Sequence, residues 1–206
     1  MAAPTDPYAL LHFNTIYAHQ TYKYGYDTIL SHLKSPPLDD LQNFLGYCEA
    51  WAMAIEVHHD SEMDFSGEIE QHKVIHDTLD KILATIYDAR TDLSKFDATK
   101  MNALMLEFKG PLFAHLDEEV EHVYASKLKE ANFAEKDVLA MIADLDKHAK
   151  GTGDPFKIAP FICNHTPPEH KDVWPSMSWI LRKVLIPYIL AKRYSGYWKY
   201  SPYAMS

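Results

Sequence analysis

Cysteine is nearly absent from this chain. Cys48 and Cys163 are the only two in 206 residues, too few for a disulfide framework. That usage fits a reducing compartment, and a cytoplasmic location is expected. Glycine is scarce as well, with seven residues, and short runs of alternating polar and apolar residues are missing, which argues against a β-rich fold. No apolar run approaches the roughly 20 residues of a membrane span. The opening MAAPTDP has no basic stretch leading into an apolar one, so no secretion signal is expected. Basic charge is in deficit at a net −9, and unevenly so. Residues 156–206 hold seven basic groups (Lys157, Lys171, Arg182, Lys183, Lys192, Arg193, Lys199) against Glu169 and Asp172, a net +5, which leaves −14 on residues 1–155. So acidic a body argues against nucleic acid as a partner.

What the chain does have is helical periodicity. Hydrophobic residues make up 47% of it, ample for a core, and they recur with a period near 3.6. The expected fold is all-α: an up-down-up-down four-helix bundle over residues 6–128. Residues 129–206 are expected to add a further helix and a basic, aromatic extension packed on the bundle. The first helix should span about 6–34, ending at Ser35-Pro36-Pro37, with Ile16, His19, Tyr22, Tyr26 and Leu33 inward. A second follows the prolines and breaks at Ser66-Gly67, and a third runs from Ile69 to near Arg90. Asp97 is the candidate cap of a fourth, and a fifth spans about 134–150 before Gly151 and Gly153.

On those helices lie His19; His58 and Glu62; His72 and His76; His115 and Glu119. Three of these are pairs four residues apart, which puts both side chains on one helix face, about 6 Å apart. The faces are otherwise apolar, and polar groups in such a place are costly unless paired or metal-bound. With 12 His in the chain, about 0.7 His-xxx-Glu pairs are expected at random. Three occur, and the third, His165–Glu169, encloses two prolines and reads as the random hit. Height is the stronger argument. The His58/Glu62 and His72/His76 pairs are equidistant from the Ser66-Gly67 break, and the midpoint between helices three and four falls in the loop at 91–97. His19 matches more loosely across the proline turn. An up-down-up-down bundle brings all seven groups to one level, which scattered core histidines would not do. Five imidazoles and two carboxylates are too many ligands for one ion and suit two, though imidazole alone does not choose among iron, zinc and copper.

This series, His19, His58-His59-x-x-Glu62, His72-xxx-His76 and His115-xxx-Glu119, resembles the hemerythrin-like, cation-binding domain, over about residues 12–126. The stretches FLGYCEAW, EIEQHKVIHDTLD and HLDEE resemble its fungal branch. The resemblance implies two non-haem irons, one held by His72, His76 and His115, the other by His19 and His58, with Glu62 and Glu119 bridging. It implies that the second iron keeps a position for dioxygen. Oxygen carriers of the family have Asp five residues after the helix-four His; here that position is Val120, so the bridging role passes to Glu119. The expected function is binding or activation of dioxygen. The alternatives are an oxidase, oxygenase or peroxidase acting on an organic substrate, an iron- or oxygen-sensing and storage module, or a module that uses metal only to hold its fold.

Other residues read more plainly. His12 is expected at the surface or in an end layer, although it rivals His19 as the helix-one ligand. His59 and His122 neighbour ligands and are expected to face aside, either supporting the ligands from behind or lying in solvent, and Asp117 and Glu118 are expected to face solvent. Tyr22, Tyr26 and Trp51 are expected to be core packing, and Lys23 to reach outward. Pro111 should bend helix four. The segment 174–200 is expected to pack on its own domain, its basic charges toward the acidic bundle, rather than lie on a membrane surface.

Overall fold

The computed structural model describes residues 2–62 and 69–204, with the backbone alone for Ser61, Glu62, Ile69 and Glu70. The expected break at Ser66-Gly67 and the Glu62 side chain lie outside the described residues. The chain is all-helical, and no strand occurs among the described residues. Four long helices come first: α1 (Pro7–Leu33), α2 (Leu41–Glu62), α3 (Ile69–Thr91) and α4 (Ala98–His122). Asp6 caps α1, its carboxylate accepting from Ala9 N, and Pro7 occupies the first turn, where no N–H is needed. Asp97 caps α4 as expected, accepting from the Thr99 and Lys100 amides at 2.9 Å. Beyond them come α5 (Ala125–Glu130), α6 (Glu135–Gly151) and α7 (Pro155–His165). A π-helical stretch, Leu181–Leu190, and short 3-10 turns follow.

α1 packs against α2 and α4, and α3 packs against the same two helices. Cross-helix bonds set their directions. The Tyr26 hydroxyl donates to Met105 O (2.8 Å) while His19 lies at Leu116, so α1 and α4 run antiparallel. Glu49 meets Arg90 at one end of α2 and α3 and His59 meets His72 at the other, so this pair is antiparallel too. The core runs through Tyr26, Phe44, Tyr47, Trp51, Ile75, Phe108 and Leu112, and the C-terminal part completes it with Phe161, Tyr197 and Tyr200. α7 enters because Gly25 has no side chain: a Cβ there would collide with the rings of Trp51 and Phe161. Gly46 makes the same room for the Tyr197 ring.

α2, α3, α7 and the tail are tied by a buried charge cluster. Lys157 Nζ donates to Glu49 at 2.8 Å, Arg90 pairs with the same carboxylate, and Arg90 also donates to the Tyr197 hydroxyl. The basic tail meets the acidic body only in part. Lys157 and Lys199 pair with Glu49 and Asp40, while Arg182 is spent on the carbonyls of Lys171, Trp174 and Pro175. Trp179, Ile180, Tyr188 and Ile189 stand exposed. No helix among the described residues is long and apolar enough to cross a membrane.

Candidate metal centre

The apolar faces of α1–α4 bring His19, His58, His72, His115 and Glu119 together. Two groups of potential ligand atoms, each within 4.8 Å of one another, emerge: His19, His58 and Glu119, and His72, His115 and Glu119. Glu119 belongs to both. Its Oε2 lies 3.3 Å from His19 Nε2 and 4.0 Å from His58 Nε2, and its Oε1 lies 3.3 Å from His115 Nε2. The carboxylate thus presents one oxygen to each group, which the four-residue step from His115 to Glu119 along α4 makes possible.

Backbone and amide groups orient the rings. His19 Nδ1 donates to Leu116 O at 2.7 Å, leaving the Nε2 lone pair to the cluster. His115 Nδ1 donates to Gln71 Oε1 at 3.3 Å with the same result, and Gln71 in turn donates to Glu118. Such bonds from the far nitrogen are what hold metal-ligating histidines in one tautomer. Burial keeps His19 and His58 neutral. It drives the pKa of His19 down to about 3, with the neighbouring His58 adding to the effect and Glu119 opposing it. His58 falls to about 4 for the same leading reason. Neutral imidazoles offer the lone pairs that a metal requires. His19 Nε2 and His58 Nε2 face each other at 2.9 Å. That is the spacing of two donors at right angles around one ion, each about 2.1 Å from it. The donors present in each group therefore fit a metal ion.

The remaining expected ligands are placed differently. His76 is half-buried and stands outside both tight groups, yet its Nε2 is shut off from solvent with no hydrogen-bond partner among the described residues. Glu62 lies outside the described side chains. His12 is half-buried, its ring 4.3 Å from that of Tyr124, away from the cluster. Asp117, Glu118 and His122 are exposed, and Lys23 reaches outward to Asp117. Tyr22, Tyr26 and Trp51 are buried, and the Tyr22 ring lies 4.9 Å from that of His58.

His59 lies against the other histidines, as one of its two expected places has it, but deeper than a residue facing aside. It is fully buried, its ring centroid 5.0 Å from that of His115, 5.6 Å from His72 and 6.0 Å from His76. The reason is the place of α2 between α1 and α3. Successive residues on a helix point about 100° apart, so His58 turns to α1 while His59 turns to α3 and α4. The sequence signal was the His-His doublet itself. Gln71 and the Leu116 carbonyl carried no signal, since neither follows from ligand spacing.

Set against known proteins, the chain matches no family model, no curated protein and no solved structure.

Proposed function

We propose that α1–α4 form an up-down-up-down, hemerythrin-like four-helix bundle that holds two iron ions and binds or activates dioxygen. The observation that carries this reading is the Glu119 carboxylate shared between two histidine groups, one oxygen to each. A single-ion site or a set of ordinary core histidines has no use for a carboxylate so divided. The antiparallel pairs and the packing of α1 and α3 each against α2 and α4 support the bundle. The choice of iron comes from the resemblance in the motif series. Paired iron would supply two electrons for dioxygen at one place.

The chain's own contribution is positional. His19 and His58 hold the outer side, near Tyr22. His72, His115 and His76 hold the inner side, and Glu119 ties the two together. Glu62 is the proposed second carboxylate. Buried Tyr22, Trp51 and Ile55 keep water from the outer side. That side has fewer imidazoles, so it is where a small ligand such as dioxygen or azide is proposed to bind. The test is aerobic purification with metal analysis and an absorption spectrum. About two irons per chain with near-ultraviolet bands of a bridged iron pair support the reading, and steady consumption of a reductant or organic substrate would move it from binding to oxidase chemistry. A metal-free chain that takes up no iron on anaerobic addition removes it.

A further inference from the structure

The geometry points to His59 as an additional metal ligand, one that gives the inner side a fourth imidazole beside His72, His76 and His115. The inference rests on the two-metal reading above and concerns a residue outside the seven named there.

Both ring nitrogens of His59 are sealed from solvent, and neither has a hydrogen-bond partner among the described residues. Each buried polar atom left in that condition costs about 1–3 kcal/mol, and buried polar side chains in folded proteins are almost always satisfied. Two on one ring therefore call for a missing partner. The surroundings say what kind. The nearest polar rings are other imidazoles: those of His115, His72, His58 and His76 lie at centroid distances of 5.0, 5.6, 5.6 and 6.0 Å. Glu119 lies within the same cluster through His115. His76 Nε2 is likewise buried without a partner. His59 and His76 stand just outside the tight group of His72, His115 and Glu119, and buried imidazole nitrogens this near one another and short of donors are satisfied together by a cation that accepts several lone pairs at once. A proton satisfies only two.

The arrangement also makes the sides unequal. α2 supplies His58 to the outer ion and His59 to the inner. The inner ion then has up to four imidazoles and one oxygen of Glu119. Nitrogen-rich sites rank divalent metals steeply, with affinity rising from Mn²⁺ through Fe²⁺ and Co²⁺ toward Cu²⁺. With more imidazoles than the outer side, the inner side is expected to hold such an ion more tightly and to fill first.

The experiment titrates the metal-free full-length chain with Co²⁺, reading stoichiometry by calorimetry and coordination by the visible absorption of the bound ion. Wild type, His59→Leu, His59→Gln and the exposed-site control His122→Leu are compared, with melting of each metal-free chain recorded. Wild type and His122→Leu are expected to take two ions in distinguishable steps. Both His59 variants should weaken the tighter step at least tenfold and change its absorption, leaving the weaker step intact. Metal-free His59→Leu should melt no lower than wild type, since it deletes an unsatisfied imidazole; His59→Gln keeps the comparison available if leucine disturbs folding. Two steps of wild-type affinity and spectrum in folded His59 variants overturn the assignment and leave the two-metal reading standing. Wild-type chain that takes up no Co²⁺ overturns both.

Discussion

At the scale of single residues, the shared carboxylate has consequences that can be measured. Replacing Glu119 by Ala takes one oxygen from each histidine group, and what remains on the outer side is two imidazoles and the proposed Glu62 carboxylate. The expected result is loss of the outer ion and of any oxygen or azide adduct, with helical circular dichroism retained. A variant that keeps two irons places Glu119 outside the centre. Replacing His72 and His76 together should remove at least one ion; full iron content in that variant counts against the ligand set. A buried histidine away from the cluster also contributes to acid stability, beside His19 and His58. His165 is buried at the end of α7, accepting from the Tyr47 hydroxyl at 2.6 Å and donating from Nδ1 to Phe161 O at 2.7 Å. Burial lowers its pKa from 6.5 to about 3. Between those values the unfolded chain binds a proton that the folded chain refuses, so stability is full above about pH 6.5 and falls as the pH drops, by up to about 1.4 kcal/mol per unit from this group. His165→Gln, which can keep both hydrogen bonds, should show a shallower decline in urea-unfolding free energy between about pH 6 and pH 4. An unchanged slope would clear His165 of the role. That the fold gathers His58, His72, His115 and Glu119 was legible from four-residue spacing and matching heights, and His19 from a looser match of height alone. His59 was not, because that spacing reads one face per helix and α2 turns two adjacent positions inward.

At the scale of elements, α1–α4 and α6 were legible from period, prolines and caps; the ends of α1, α3 and α6 and the start of α4 fall within a residue or two, while the expected break after α2 lies outside the described residues. α7 was missed. Its PFKIAPFICNH is apolar on nearly every side and carries Pro155 and Pro160, so it offers no stripe to read; its helicity is decided by burial against α1 and α2. The tail was illegible for a related reason. Tyr197 is buried because Gly46 leaves space for it, and nothing local to either residue announces a contact between such distant parts of the chain. Gly46→Ala tests that fit. Alanine in a helix interior is worth about 1 kcal/mol over glycine, whereas forcing a methyl into a packed core costs about 1–3 kcal/mol. The ring of Tyr197 stands where the methyl must go, so the second effect should win and the variant should unfold at lower urea. In a Tyr197→Ala background the same change should become neutral or stabilising, and additive effects in that double-mutant cycle would refute the contact. Breaking the charge cluster should cost more. Glu49→Ala leaves Lys157 and Arg90 without their carboxylate, with an expected loss of about 3 kcal/mol by denaturant unfolding.

At the scale of the whole molecule, the proposed metal ligands all fall between residues 19 and 119, but the core that encloses them is closed by Phe161, Tyr197 and Tyr200. Deleting residues 156–206 removes those rings, uncovers Gly25, Gly46 and Trp51, and strips Glu49 of Lys157. The truncated chain should bind an apolar dye and lose solubility; a soluble, dye-silent truncation would show that the tail covers nothing. Tyr200 reaches back 160 residues to bond Asp40. Synthesis proceeds from the N-terminus at about 5–20 residues per second, so α1–α4 emerge well before the rings that plug them. On the ribosome every histidine of the cluster is already present while the slots at Gly25 and Gly46 stand open. The wall closes last, and for those seconds the nascent chain is both the form most open to an entering ion and the one most exposed to aggregation.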